Sequence, residues 1–72
     1  MAGVTLLAVA RYKAEKTAKL KNFQAYRIFT ITPRRGPMTY NWTYDLSRDL
    51  KPYEHLVATY RLIGTKWVET SE

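Results

Sequence analysis

Seven consecutive residues, Met38-Thr39-Tyr40-Asn41-Trp42-Thr43-Tyr44, alternate between large and small side chains without a fault. Successive side chains of a β-strand point to opposite faces, so Met38, Tyr40, Trp42 and Tyr44 share one face and Thr39, Asn41 and Thr43 the other. A face that large and aromatic is either the core side of a sheet, covered by a second layer, or an open binding surface. The chain supplying that layer has 72 residues and no cysteine, so disulfides and thiolate metal sites are excluded and packing alone holds the fold. A chain of this size forms one domain, residues 1–72, and buries only about 60% of its unfolded surface, too little for a large enclosed active site.

The flanking segments set what the second layer is. Pro33-Arg34-Arg35-Gly36-Pro37 has proline where a turn presets φ and glycine where φ turns positive, which predicts a hairpin loop with both arginines at its tip. Before it, residues 23–32 (FQAYRIFTIT) read as a strand with Phe23, Ala25, Phe29 and Ile31 on one face and Tyr26 and Ile28 on the other. Residues 4–12 (VTLLAVARY) read as a strand buried on both faces and central in its sheet. Residues 13–22 (KAEKTAKLKN) carry no bulky apolar side chain except Leu20 and read as a charged connection with at most one helical turn.

Downstream, Asp49 stands where a helix cap would, Pro52 falls in the first turn, Tyr53, Leu56, Val57, Tyr60 and Ile63 fall on one helical face, and Gly64 follows as a stop. That predicts a helix. The β-branched composition of LVATYRLI leaves a hairpin open instead, turning at Gly64-Thr65 into Lys66-Trp67-Val68-Glu69. Residues 65–70 read as a short last strand, and the final two residues fray. The expected architecture is α+β, an antiparallel sheet of three or four strands with one helix packed on it, with a small all-β barrel as the alternative.

Charge is segregated along the chain. Residues 11–35 hold eight basic side chains against one acid, Glu15, whereas residues 36–72 hold four bases against five acids, within a net charge of +6. Such a potential steers anionic partners. The longest uncharged apolar-rich stretch, residues 4–10, is about a third of the roughly 20 residues a membrane span needs, and residues 1–13 do not read as a secretory signal, with neither a basic segment ahead of the apolar run nor a long apolar core. The expectation is a cytoplasmic protein without a membrane partner.

Catalysis lacks its parts. The single histidine, His55, has no nucleophile paired with it by motif, and on the helix reading it does not face its neighbour Glu54. Asp45 and Asp49 read as a turn residue and a helix cap rather than as a carboxylate pair. Phosphate-cradling glycine loops are absent, and no metal or cofactor is expected. The candidate residues are those of a macromolecular contact: Lys13, Lys16, Lys19 and Lys21, the Arg34-Arg35 tip with its two-point guanidinium forks, and the aromatics Tyr40, Trp42 and Tyr44, which serve either as the core side of a sheet or as a binding hot spot.

In size, charge, lack of cysteine and abundance of tyrosine and tryptophan, the whole chain resembles the small bacteriophage proteins that bind host bacterial RNA polymerase and inhibit or redirect transcription. The resemblance implies a non-catalytic monomer in the bacterial host cytoplasm, docking by its basic and aromatic surface on an acidic protein patch. No functional residue is carried over with it. The alternative is a sequence-tolerant nucleic-acid binder, with basic loops on phosphates and open aromatics stacking on bases.

Overall fold

The computed structural model describes residues 5–70. It begins with helix α1 (Leu6–Lys21), followed by strands β1 (Ala25–Ile31), β2 (Thr39–Thr43), β3 (Glu54–Ile63) and β4 (Lys66–Thr70). The strands form one open antiparallel sheet in the order β2-β1-β3-β4, and α1 packs across β1 and β2 on one face of it. The α+β class with one helix on an antiparallel sheet is therefore found, with four strands, and the sheet does not close into a barrel. The helix, however, sits at the opposite end of the chain from the one expected.

Residues 6–21 are helical where a central strand and a charged connection were expected; Val4, the first residue of that strand, lies outside the described residues. The local chemistry is clear once the boundary is placed at Thr5. Its hydroxyl oxygen accepts the Ala8 N–H at 3.0 Å, an N-cap. Lys19 and Lys21 complement the negative end of the helix dipole. Asn22 ends it in the left-handed conformation at φ 59°, a role asparagine tolerates better than most residues. The buried stripe is Ala10, Ala14 and Ala18, four residues apart. Alanine is the best helix former but contributes little hydrophobic signal, so a reading that looks for bulky core positions passes over it.

The second correction concerns residues 50–63. No helix starts at Asp49; the hairpin alternative is realised, with β3 turning at Gly64 (φ 65°) into β4. The strand carries a bulge. Ile28 pairs with Ala58 and Phe29 with Leu56, so Val57 has no partner on β1. The extra residue breaks strict alternation, placing His55, Ala58, Tyr60 and Leu62 on the helix side and Glu54, Leu56, Thr59 and Arg61 on the other. Leu56 and Ile63 lie on the face opposite Tyr60, with Val57 at the bulge, so the helix-like spacing of these residues in the sequence reflects apolar side chains on both faces of an extended chain. His55 is accordingly an exposed strand residue, not a helical one. Residues 65–70 are strand from Lys66 on, and the two residues expected to fray lie outside the described residues.

Beneath α1 lie Tyr26, Ile28, Ala58 and Tyr60, with Leu7, Tyr40, Trp42, Tyr44 and Trp67 packed around them. Tyr26 is at the centre, its ring 5.2 Å from those of both Tyr60 and Trp67. Bulk comes from the sheet and closeness from the helix. Replacing Ala14 by Leu therefore forces α1 off the aromatic layer and lowers stability by about 1–3 kcal/mol, whereas Leu20→Ala, on the exposed face, changes it by less than about 0.5 kcal/mol. Urea denaturation of the two variants checks the contrast.

Candidate macromolecule-binding surface

The helix fixes where the basic residues go. With Ala10, Ala14 and Ala18 against the sheet, Lys13, Lys16, Lys19 and Lys21 are all solvent-exposed on α1, as are Arg34 and Arg35 in the β1–β2 loop. The four lysines are thus carried by a rigid helix rather than by a connecting loop. Arg11 is half-exposed but engaged within the fold: its guanidinium lies 4.4 Å from the centre of the Tyr60 ring and 3.6 Å from the Glu15 carboxylate.

The aromatic stripe does not stand open. Tyr40, Trp42 and Tyr44 are half-buried on the side of the sheet that faces α1. The Tyr44 ring stacks on Phe23 with centroids 4.6 Å apart, and its hydroxyl donates to the Ala14 carbonyl at 3.0 Å. Of the two alternatives for the stripe, core side or stacking platform, its position is that of the core side, and a base-stacking platform needs an open aromatic face. Tyr26 donates to Glu15 Oε1 at 2.6 Å, and burial together with that bond raises its phenol well above the ordinary tyrosine value. Burial likewise raises Tyr60, which donates to Glu69. Both remain neutral donors.

The sequence reading did not include the exposed apolar residues that accompany the lysines. Leu6, Val9, Leu20 and Tyr12 are exposed on α1, Leu6 by 66% and Leu20 by 76%. Leu6, Val9, Lys13, Lys16 and Leu20 follow each other at helical spacings of three and four, which was the available signal once a helix is assumed. Between α1 and β2 runs a groove of about 330 Å³ lined by Leu6, Val9, Lys13, Met38, Tyr40 and Trp42 among others. Cations and apolar side chains therefore share one face.

On the opposite face of the sheet, the β2–β3 connection is clamped. Arg48 Nη2 reaches both oxygens of Glu54 at 3.0 and 2.8 Å, the Lys51 N–H donates to Oε1 at 2.9 Å, and the Arg48 guanidinium lies 5.1 Å from the centre of the Phe29 ring. Asp45 forms a turn, accepting the Ser47 N–H and hydroxyl, as its turn reading expected; Asp49 caps nothing. Among the described residues, no group of histidine or acidic side chains could hold a metal, and no helix is long and apolar enough to cross a membrane. Comparison with protein-family models, with curated proteins and with solved structures returns no match.

The Arg48 hydrogen bonds first, and the Lys51 N–H second, hold the Glu54 carboxyl below its ordinary value. A carboxylate depressed on folding stabilises the fold above its unfolded pKa, and that contribution is lost as pH falls through the folded value. Stability is therefore expected to drop below about pH 4. Glu54→Gln lowers stability at neutral pH and makes the acid-side fall shallower, read as denaturation midpoints across the acid range.

Proposed function

We propose that the protein is a non-catalytic binding module that docks on an acidic protein surface, and that its partner is bacterial RNA polymerase, whose transcription it inhibits or redirects. The resemblance of the whole chain to phage regulators supports the polymerase as partner, and the exposed surface of α1 supports the docking mode. The observation that carries it is the shared face of exposed lysines and exposed Leu6, Val9, Tyr12 and Leu20 on α1. Exposed apolar side chains set among cations favour a protein partner, since phosphate tracking has no use for them. The half-buried position of Tyr40, Trp42 and Tyr44 weighs against base stacking, the other route to affinity considered for this charge pattern.

RNA polymerase offers acidic surfaces that ordinarily receive nucleic acid, and a basic domain in the host cytoplasm would be steered to them. Arg34 and Arg35 extend the positive surface beyond the helix at the loop tip. The test is a pull-down with the tagged protein from a nuclease-treated bacterial lysate, washed at about 300 mM salt to suppress purely electrostatic nucleic-acid contacts. Polymerase subunits as the main captured proteins support the reading. Loss of all protein partners, with DNA or RNA retained only at low salt without nuclease, overturns it. Changing Arg34 and Arg35 together to Glu is expected to weaken polymerase binding at least about tenfold, measured by titration of the purified enzyme.

A further inference from the structure

The two edges of the sheet differ in how they are protected. A strand at a sheet edge presents unpaired N–H and C=O groups at every second residue, and proteins blunt such edges with charges, prolines or bulges. β4 carries Lys66 and Glu69 within its five residues. β2 also has five residues, Thr39-Tyr40-Asn41-Trp42-Thr43, without a charge or a proline, and it pairs with β1 from Thr39 to Thr43 without a register shift. It is thus a regular, uncharged outer strand. Beside it, on the helix side, lies the groove of about 330 Å³ whose apolar walls include Leu6, Val9, Met38 and Trp42.

We infer that the β2 edge and the α1–β2 groove form a strand-addition site for an extended segment of a partner protein, apolar at alternate positions and acidic at its C-terminal end. An added strand continues the alternation of the sheet, so every second side chain falls on the helix side, where the groove is apolar. The groove contains one cation, Lys13, and no acidic side chain among its described lining residues. Arg34 and Arg35 lie in the loop that leads into Thr39, the N-terminal end of β2. A segment added antiparallel to β2 brings its C-terminal end there, and carboxylates at that end meet the two guanidinium forks. A second copy of this chain is a poorer occupant, because it would bring Lys13 towards Lys13 and a charge of +6 towards +6.

This inference rests on the reading that the protein docks on an acidic protein surface. The probe is a displayed library of random peptides of about twelve residues, selected on the purified full chain. Enriched peptides are expected to alternate apolar residues and end in Asp or Glu. With one such peptide bound, hydrogen exchange at the outward amides of β2 slows at least about tenfold. The double variant Leu6→Glu, Met38→Glu, at two exposed positions and checked for folding by circular dichroism, is expected to bind the peptide at least about tenfold more weakly.

Enriched peptides without alternation, unchanged β2 exchange, or equal affinity of the double variant overturns the site. So does β2 protection that appears with protein concentration alone, which would assign the edge to a second copy, or with single-stranded DNA. If a lysate yields no protein partner while the peptide protects β2, the site stands and the polymerase reading falls. Equal capture of polymerase by wild type and double variant overturns the site, removes Leu6 from the α1 docking face and leaves the polymerase as partner.

Discussion

Everything else in the structure depends on the contact between a stripe of three alanines and a layer of aromatic rings. Ala10, Ala14 and Ala18 let the α1 backbone approach the sheet closely enough for the Tyr44 hydroxyl to bond the Ala14 carbonyl. Tyrosine contributes an apolar ring and a polar tip, and each of the three tyrosines that bond here places its tip on a partner: Tyr26 on Glu15, Tyr44 on Ala14, Tyr60 on Glu69. A small core made this way gains hydrophobic area from the rings and fixes the position of the helix by directional bonds, in a chain without cysteine. The division of labour also determines the surface. With only alanine turned inward, the bulkier and charged residues of α1 are left outward, which is why Leu6, Val9 and Leu20 are exposed beside the lysines.

What was legible in the sequence follows from the same division. The alternation of residues 38–44 and the β-rich composition of residues 23–32 report strands directly, because both large and small positions take part in a period of two, and the turn chemistry between them is explicit. The α1 segment was illegible to a reading based on bulky apolar positions because its buried face is alanine, and Leu6 and Leu7 at its start imitate a strand. β3 was ambiguous for a different reason. Apolar residues sit on both of its faces, Leu56 and Ile63 on one and Tyr60 on the other with Val57 at the bulge between them, and together they imitate the spacing of a single helical face. The architecture came out correctly because covering the aromatic face requires a layer, whichever segment supplies it.

The candidate binding residues show the same split. The exposure of Lys13, Lys16, Lys19, Lys21, Arg34 and Arg35 follows from charge, since ammonium and guanidinium groups leave water only when paired. The placement of Tyr40, Trp42 and Tyr44 depended on which element covered them, and no local pattern encodes that. Sequence reading therefore located the positive surface and left open the apolar residues that share it, which become visible only when α1 is wound and its outer face identified.

Position on a helix changes what the lysines can do. On a mobile connection, four lysines would act as a diffuse positive cloud, adapting to any polyanion at an entropic cost on ordering. On α1 their stems are set at helical intervals between leucine and valine side chains, and the helix is pinned to the sheet by bonds at Ala14 and Glu15. Lys13 and Lys16 fall in one stripe with Leu6, Val9 and Leu20 at spacings of three and four, while Lys19 and Lys21 lie to either side of it. The uncharged β2 edge beside it is matched only by another strand. The two features lie on adjoining elements, with Arg34 and Arg35 in the loop leading into β2, so a partner that satisfies both must present an extended segment next to an acidic face. An extended segment beside an acidic face is what the proposed protein partner would supply.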